Sequence, residues 1–220
     1  MSGKRKKQDV DLLAREDGAI RKPWSDYVAI ALAYPNVYRT GMCNLGFQTI
    51  YRLLNANPSV VCERVFLPDP GGKKLFSPGS PLLFSLESQR PLRDFDVVAF
   101  SLSFENDYPH ILDLLSLGNI DPLAANRKES DPLIMAGGIA VTMNPEPVAD
   151  FFDLFLLGEA EEALTEFLEI LFARRRYGWD KDACLHDLQR SVGGAYVPKF
   201  YEVAYGKTGE ISSFGPRNPV

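Results

Sequence analysis

The chain alternates short, largely apolar runs with stretches whose apolar residues recur at helical spacing. Residues 27–33 (Tyr-Val-Ala-Ile-Ala-Leu-Ala), 60–67, 96–102, 132–136 and 153–157 are the apolar runs. Such runs mark strands buried on both faces, because a half-exposed strand would alternate polar and apolar positions. Between them, residues 44–55 carry Leu45, Ile50, Leu53 and Leu54 at helical spacing, and 107–117 carry Ile111, Leu112, Leu114 and Leu115. The clearest helix covers 159–173, with Ala163, Leu164, Phe167, Leu168 and Leu171 on one stripe. A short helical turn is expected at 145–151.

Five buried strands alternating with helices predict an α/β domain: a flavodoxin-like parallel sheet of order 2-1-3-4-5 with right-handed crossovers. Residues 1–24 are polar and read as an N-terminal arm with a short helix near 10–19. The α/β domain is expected over 25–178. A C-terminal extension over 179–220 holds a helix near 182–190 and β segments at 196–198 and 200–205, and 212–220 reads as a linker. Residues 68–93 form an insertion that opens on a Pro/Gly turn and has no clear period.

In an open parallel sheet, ligands sit beyond the carboxyl ends of the strands, at the point where strand order reverses. The loops there are 34–41, 101–107, 137–144 and 158–162. Ser101 and Ser103 offer hydroxyls, or serve as N-caps of the next helix. Gly137 and Gly138 admit a ligand close to the backbone, or make a tight turn. Gly158 and Glu159 open an acidic first helical turn, which the helix dipole by itself explains.

Composition narrows the chemistry. The chain has 220 residues, a net charge of −5, three cysteines and two histidines. Cys43, Cys62 and Cys184 make no close pair, and His110 and His186 no H-x-x-x-H, so neither a His/Cys metal site nor a disulfide scaffold is expected. The acidic balance gives no indication of a nucleic-acid partner; the basic clusters 4–7 and 174–176 read as solvated charge. No run approaches the ~18 apolar residues of a membrane span. The N-terminus lacks a secretory h-region, and the expected compartment is the cytoplasm. Walker, Rossmann and G-x-S-x-G fingerprints are missing, and no catalytic residue is assigned.

Several segments together carry a resemblance. Met135-Ala-Gly-Gly-Ile-Ala-Val-Thr-Met-Asn-Pro-Glu-Pro147 and Asp153-Leu-Phe-Leu-Leu-Gly-Glu-Ala-Glu-Glu162 are two of them. Ala33-Tyr-Pro-Asn-Val-Tyr38, 44–55 and 96–107 agree in order. Over residues 27–205 the chain resembles the N-terminal, cobalamin-binding-like domain of radical S-adenosylmethionine (SAM) proteins.

The resemblance implies a corrin site over the strand ends, with Ser101, Ser103, Gly137 and Gly138 lining the nucleotide-tail slot. Asn36, Tyr38 and Gly41 stand where histidine-ligating relatives carry D-x-H-x-x-G. Tyr38 therefore replaces the imidazole, and no histidine–cobalt bond is expected. The family's Cys-x-x-x-Cys-x-x-Cys motif, which holds its [4Fe–4S] cluster, is missing. The chain thus reads as the N-terminal domain of a longer protein, non-catalytic alone. Its expected partner is its own downstream radical SAM domain, where the cluster and S-adenosylmethionine would bind. The alternative is a degenerate scaffold or docking domain that binds no cobalamin, the cleft filled by Tyr38, Phe76, Leu82, Leu83 and Phe84.

Overall fold

A computed structural model describes residues 12–24, 27–68 and 83–217. Its central sheet has six strands in the order β2-β1-β3-β4-β5-β6. β1 (Val28–Val37), β2 (Val60–Leu67), β3 (Val97–Ser101), β4 (Leu133–Gly137) and β5 (Leu154–Leu156) pair in parallel. This is the expected 2-1-3-4-5 order. β6 (Ala195–Tyr196) adds one strand antiparallel to β5, which the five-strand expectation did not include. Two residues are too short a run to show an apolar period.

The helices connecting the strands are α1 (Tyr38–Met42), α2 (Leu45–Ala56), α3 (Tyr108–Leu117), α4 (Ile139–Met143) and α5 (Ala160–Tyr177); α6 (Lys181–Ser191) leads into β6. Alternate residues of the strands feed two cores. Val28, Ile30, Leu32 and Tyr34 face α2, α5 and α6, whereas Ala29, Ala31 and Ala33 face α3. Every residue of β2 is buried although β2 lies at the sheet edge.

Three expectations are corrected. The first strand does not stop at Ala33. It continues through Pro35 with a register break between Tyr34 and Val37; proline lacks the ladder N–H, so the strand bulges there. α2 buries Phe47, Tyr51, Leu54 and Asn55, leaving Leu45 and Leu53 exposed. Tertiary contact rotated the helix: Asn55 exchanges two hydrogen bonds with the backbone of Cys62 and belongs inside. The expected linker at the end contains β8 (Ile211–Pro216), which pairs antiparallel with β7 (Tyr201–Tyr205) as a separate hairpin.

Residues 12–24, expected as part of an arm, run along the β2 edge. Lys22 Nζ donates to the carbonyls of Asn55, Asn57 and Val60, and Trp24 Nε1 donates to Glu63 at 2.8 Å. On the other face Arg64 pairs with Glu16 of this segment and, at 2.6 Å, with Glu87. A small cavity of about 50 Å³ lies beside that guanidinium, lined in part by Glu16, Tyr51 and Arg64. Within the insertion, Leu83 binds the Leu117 carbonyl at the far end of α3 and Leu86 binds the Arg64 carbonyl. Leu83 therefore does not fill the strand-end cleft. Phe84 bridges to Pro91 in the same segment. Phe76 and Leu82 lie outside the described residues, as does the basic cluster 4–7.

Candidate site at the strand-order reversal

The carboxyl ends of β1 and β3 meet α2 and α3 in two neighbouring sets of polar contacts. Asn44 caps α2: its Oδ1 accepts from Phe47 N at 2.8 Å. Its amide then donates to Ser103 Oγ at 3.0 Å. The Tyr34 hydroxyl joins Ser103 and Asn44; burial, then the charge of Asp107, pushes its pKa up. Asn36 accepts from Val37 N through Oδ1 and donates from Nδ2 to Asp107 Oδ1, both at 2.9 Å. His110 Nδ1 lies 3.1 Å from the Pro35 carbonyl and 3.8 Å from Asp107. A carbonyl only accepts, so Nδ1 carries the hydrogen in this contact.

Ser103 and Asn36 thus come together, each held by a neighbouring side chain. Ser101 is half-buried and registers opposite Gly137 on β4. Gly138 sits at φ +115°, and a Cβ there would lie 2.5 Å from the Leu102 carbonyl oxygen. The backbone of Leu102 is stitched to this turn through Gly137 O and Ala140 N. Close backbone packing therefore accounts for this glycine. Gly41 is similar: a Cβ would meet the Phe66 ring at 2.5 Å.

Tyr38 stands apart. Its ring packs edge-on against Phe66, and its hydroxyl bonds Glu16, away from the polar network. Burial, followed by the Glu16 charge, raises its pKa. Gly158, at φ +97°, donates its N–H to Thr142 Oγ1 at 3.1 Å beyond β5. Glu159 is exposed and caps α5 without a side-chain hydrogen bond.

Around this network the edge is apolar. Leu45 is 74% exposed, Phe104 60%, Ile139 61% and Met143 74%. They stand on α2, the loop after β3, and the two ends of α4, the elements that follow β1, β3 and β4. A run of consecutive loops exposing large apolar side chains is the mark of a contact surface.

Sequence reading did not put Tyr34, Asn44, Asp107 and His110 together. One signal was present for Asn44: an asparagine directly before a helical stripe is a preferred N-cap. Nothing in the sequence signals that His110 reaches back to Pro35.

The donor set does not fit a histidine-ligated corrin. Position 38 is a tyrosine turned onto Phe66, and Ser103 and Asn36 already hold protein partners. Nor do the thiols fit an iron–sulfur cluster, which needs thiolates. Cys62 and Cys184 are buried, which pushes both thiols up, Cys184 to about 11; Cys43 is exposed. Among the described residues, no group of three His, Cys, Asp or Glu side chains gathers as a metal site, and no helix is long and apolar enough to cross a membrane.

These elements define an α/β domain built on a mostly parallel sheet. The chain belongs to the family described as radical SAM proteins, N-terminal, whose model matches residues 46–198. It is similar to the uncharacterized protein MJ0966 of Methanocaldococcus jannaschii, at 24% identity over 138 residues. That stretch covers 60% of this chain and 24% of the relative, so the chain corresponds to about a quarter of that protein's length. No solved structure matches the chain.

Proposed function

We propose that this chain is a non-catalytic N-terminal domain of a radical SAM enzyme, and that its strand-end edge is the face on which the linked radical SAM domain docks. The observation that carries the reading is the apolar edge formed by Leu45, Phe104, Ile139 and Met143 around polar groups that already satisfy one another. Small-molecule sites are concave and hold polar groups free for the ligand. An edge that exposes four large apolar side chains suits a protein surface. The cluster and S-adenosylmethionine would supply the radical chemistry from the linked domain. Here Asn44, Ser103, Asn36 and Asp107 hold the docking loops rigid.

The test is association between this chain and the separately produced radical SAM domain, read by calorimetry. The expected result is binding that weakens at least tenfold in Met143→Asp or Leu45→Asp, with the chain's thermal midpoint unchanged. Binding indifferent to both charges would refute the reading. So would cobalamin co-eluting with the chain and changing its corrin spectrum, which would favour a corrin site on this edge.

A further inference from the structure

The C-terminal hairpin is amphipathic in a way the domain does not use up. The pairs Tyr201–Pro216 and Val203–Phe214 stand opposite one another on one face, and past a register irregularity after Ala204, Tyr205 pairs with Ile211. Glu202, Ala204, Ser213 and Gly215 make the other face. The apolar face packs on the domain through the rings at its Tyr201 end. Tyr201 stacks on Phe214 with ring centres 5.0 Å apart, and both rings contact Tyr196 of β6. Glu146 accepts from the hydroxyls of both Tyr196 and Tyr205. Arg217 ties the strand end back to the carbonyls of Phe200 and Tyr201. Even so, Tyr205, Ile211 and Phe214 each keep about half their surface in water. Among the described residues no third strand pairs with β7 or β8. A lone two-stranded ribbon is marginal in water and gains stability when its apolar face is covered.

We infer that the hairpin is a second docking strip, and that the linked radical SAM domain covers Val203, Tyr205, Ile211 and Phe214. The inference rests on the reading of the chain given above. Its own support is position. The family match ends at residue 198, and the hairpin begins at Tyr201. The hairpin therefore lies just past the family's N-terminal region, on the side where a radical SAM domain follows. A domain tethered so close meets the strip at high effective concentration, so a modest apolar area suffices to hold it.

The test uses the full-length protein with a photoreactive phenylalanine at position 205, and in a second preparation at position 104. The expected result is an intramolecular cross-link from position 205 to a peptide beyond residue 220. A cross-link from position 104 but not from 205 would overturn the hairpin inference and leave the strand-end reading standing. No cross-link from either position would overturn both. Links from 205 between two copies would assign the strip to self-association and overturn the inference. As a second readout, Ile211→Asp in the full-length protein is expected to speed amide exchange in β7 and β8 at least tenfold; unchanged exchange would count against the docking strip.

Discussion

Arg64 is the strongest place to perturb this molecule. Its side chain is 2% exposed and that of Glu87 is 1% exposed, with Nε and Oε1 2.6 Å apart. Glu87 also accepts from the Arg64 backbone N–H at 2.7 Å. Glu16 supplies a second carboxylate, and the Tyr51 ring lies 4.7 Å from the guanidinium carbon. One side chain thus ties β2 to the N-terminal segment and to the described end of the insertion. Arg64→Met keeps most of the volume and removes the charge, stranding Glu87 in the interior. Breaking a buried pair from one side costs about 3–5 kcal/mol. For a domain of this size that is roughly 6–20 °C in melting temperature.

The loss has a pH signature. Burial already holds Glu87 above the usual carboxylate range, and Arg64 pulls it part of the way back. Without Arg64 the folded-state pKa rises further. A carboxylate raised in the folded state binds protons more tightly there than in the unfolded chain. Its contribution is full below the unfolded value of about 4.3 and is lost as pH rises through the folded value. Urea titrations of Arg64→Met should therefore show the full deficit at pH 7 and a smaller one at pH 5. Arg64→Met/Glu87→Gln, which keeps an acceptor for the residue-64 N–H, should recover at least half. A cost under about 1 kcal/mol at pH 7, far below what a stranded buried charge demands, or a deficit independent of pH, would refute the reasoning.

Gly138→Ala combines a positive φ with a Cβ 2.5 Å from Leu102 O, and backbone strain of this kind costs about 1–3 kcal/mol; a melting temperature within a degree of the parent would contradict it. Asn44→Ala removes the α2 cap and the bond to Ser103, so chemical denaturation should show a loss of about 1–2 kcal/mol, with Asn44→Asp retaining most of the cap. Lys22→Met leaves three carbonyls at the α2–β2 turn without their donor; hydrogen exchange should quicken there while the β3 and β4 amides stay protected. Replacing Cys43 with serine should leave stability within about 0.5 kcal/mol, as for an exposed surface position.

The sheet was legible because buried parallel strands leave short, largely apolar runs. β2 was read at its full extent from Val60 to Leu67, and the buried stripe of α5 matches residue for residue. The candidate site was legible only as a place. Ser103 and Asn36 stand at the strand-end edge, and their partners come from segments up to 71 positions away. Tyr38 was placed by motif spacing, which carries no information about where its side chain turns. The choice between a glycine that admits a ligand and one that admits a carbonyl is likewise invisible until Leu102 is seen against Gly138.

Taken alone, the order of residues determined the five parallel strands, their order and the loops at their carboxyl ends, since these follow from local hydrophobic period and the rules of α/β crossovers. Tertiary structure decided which polar groups at that edge hold protein partners, that residues 12–24 close the β2 edge through Arg64, and that the β segment at 201–205 pairs with a strand where a linker was expected. Those outcomes depend on contacts between distant segments, and packing and charge pairing across such distances leave no periodic trace along a chain.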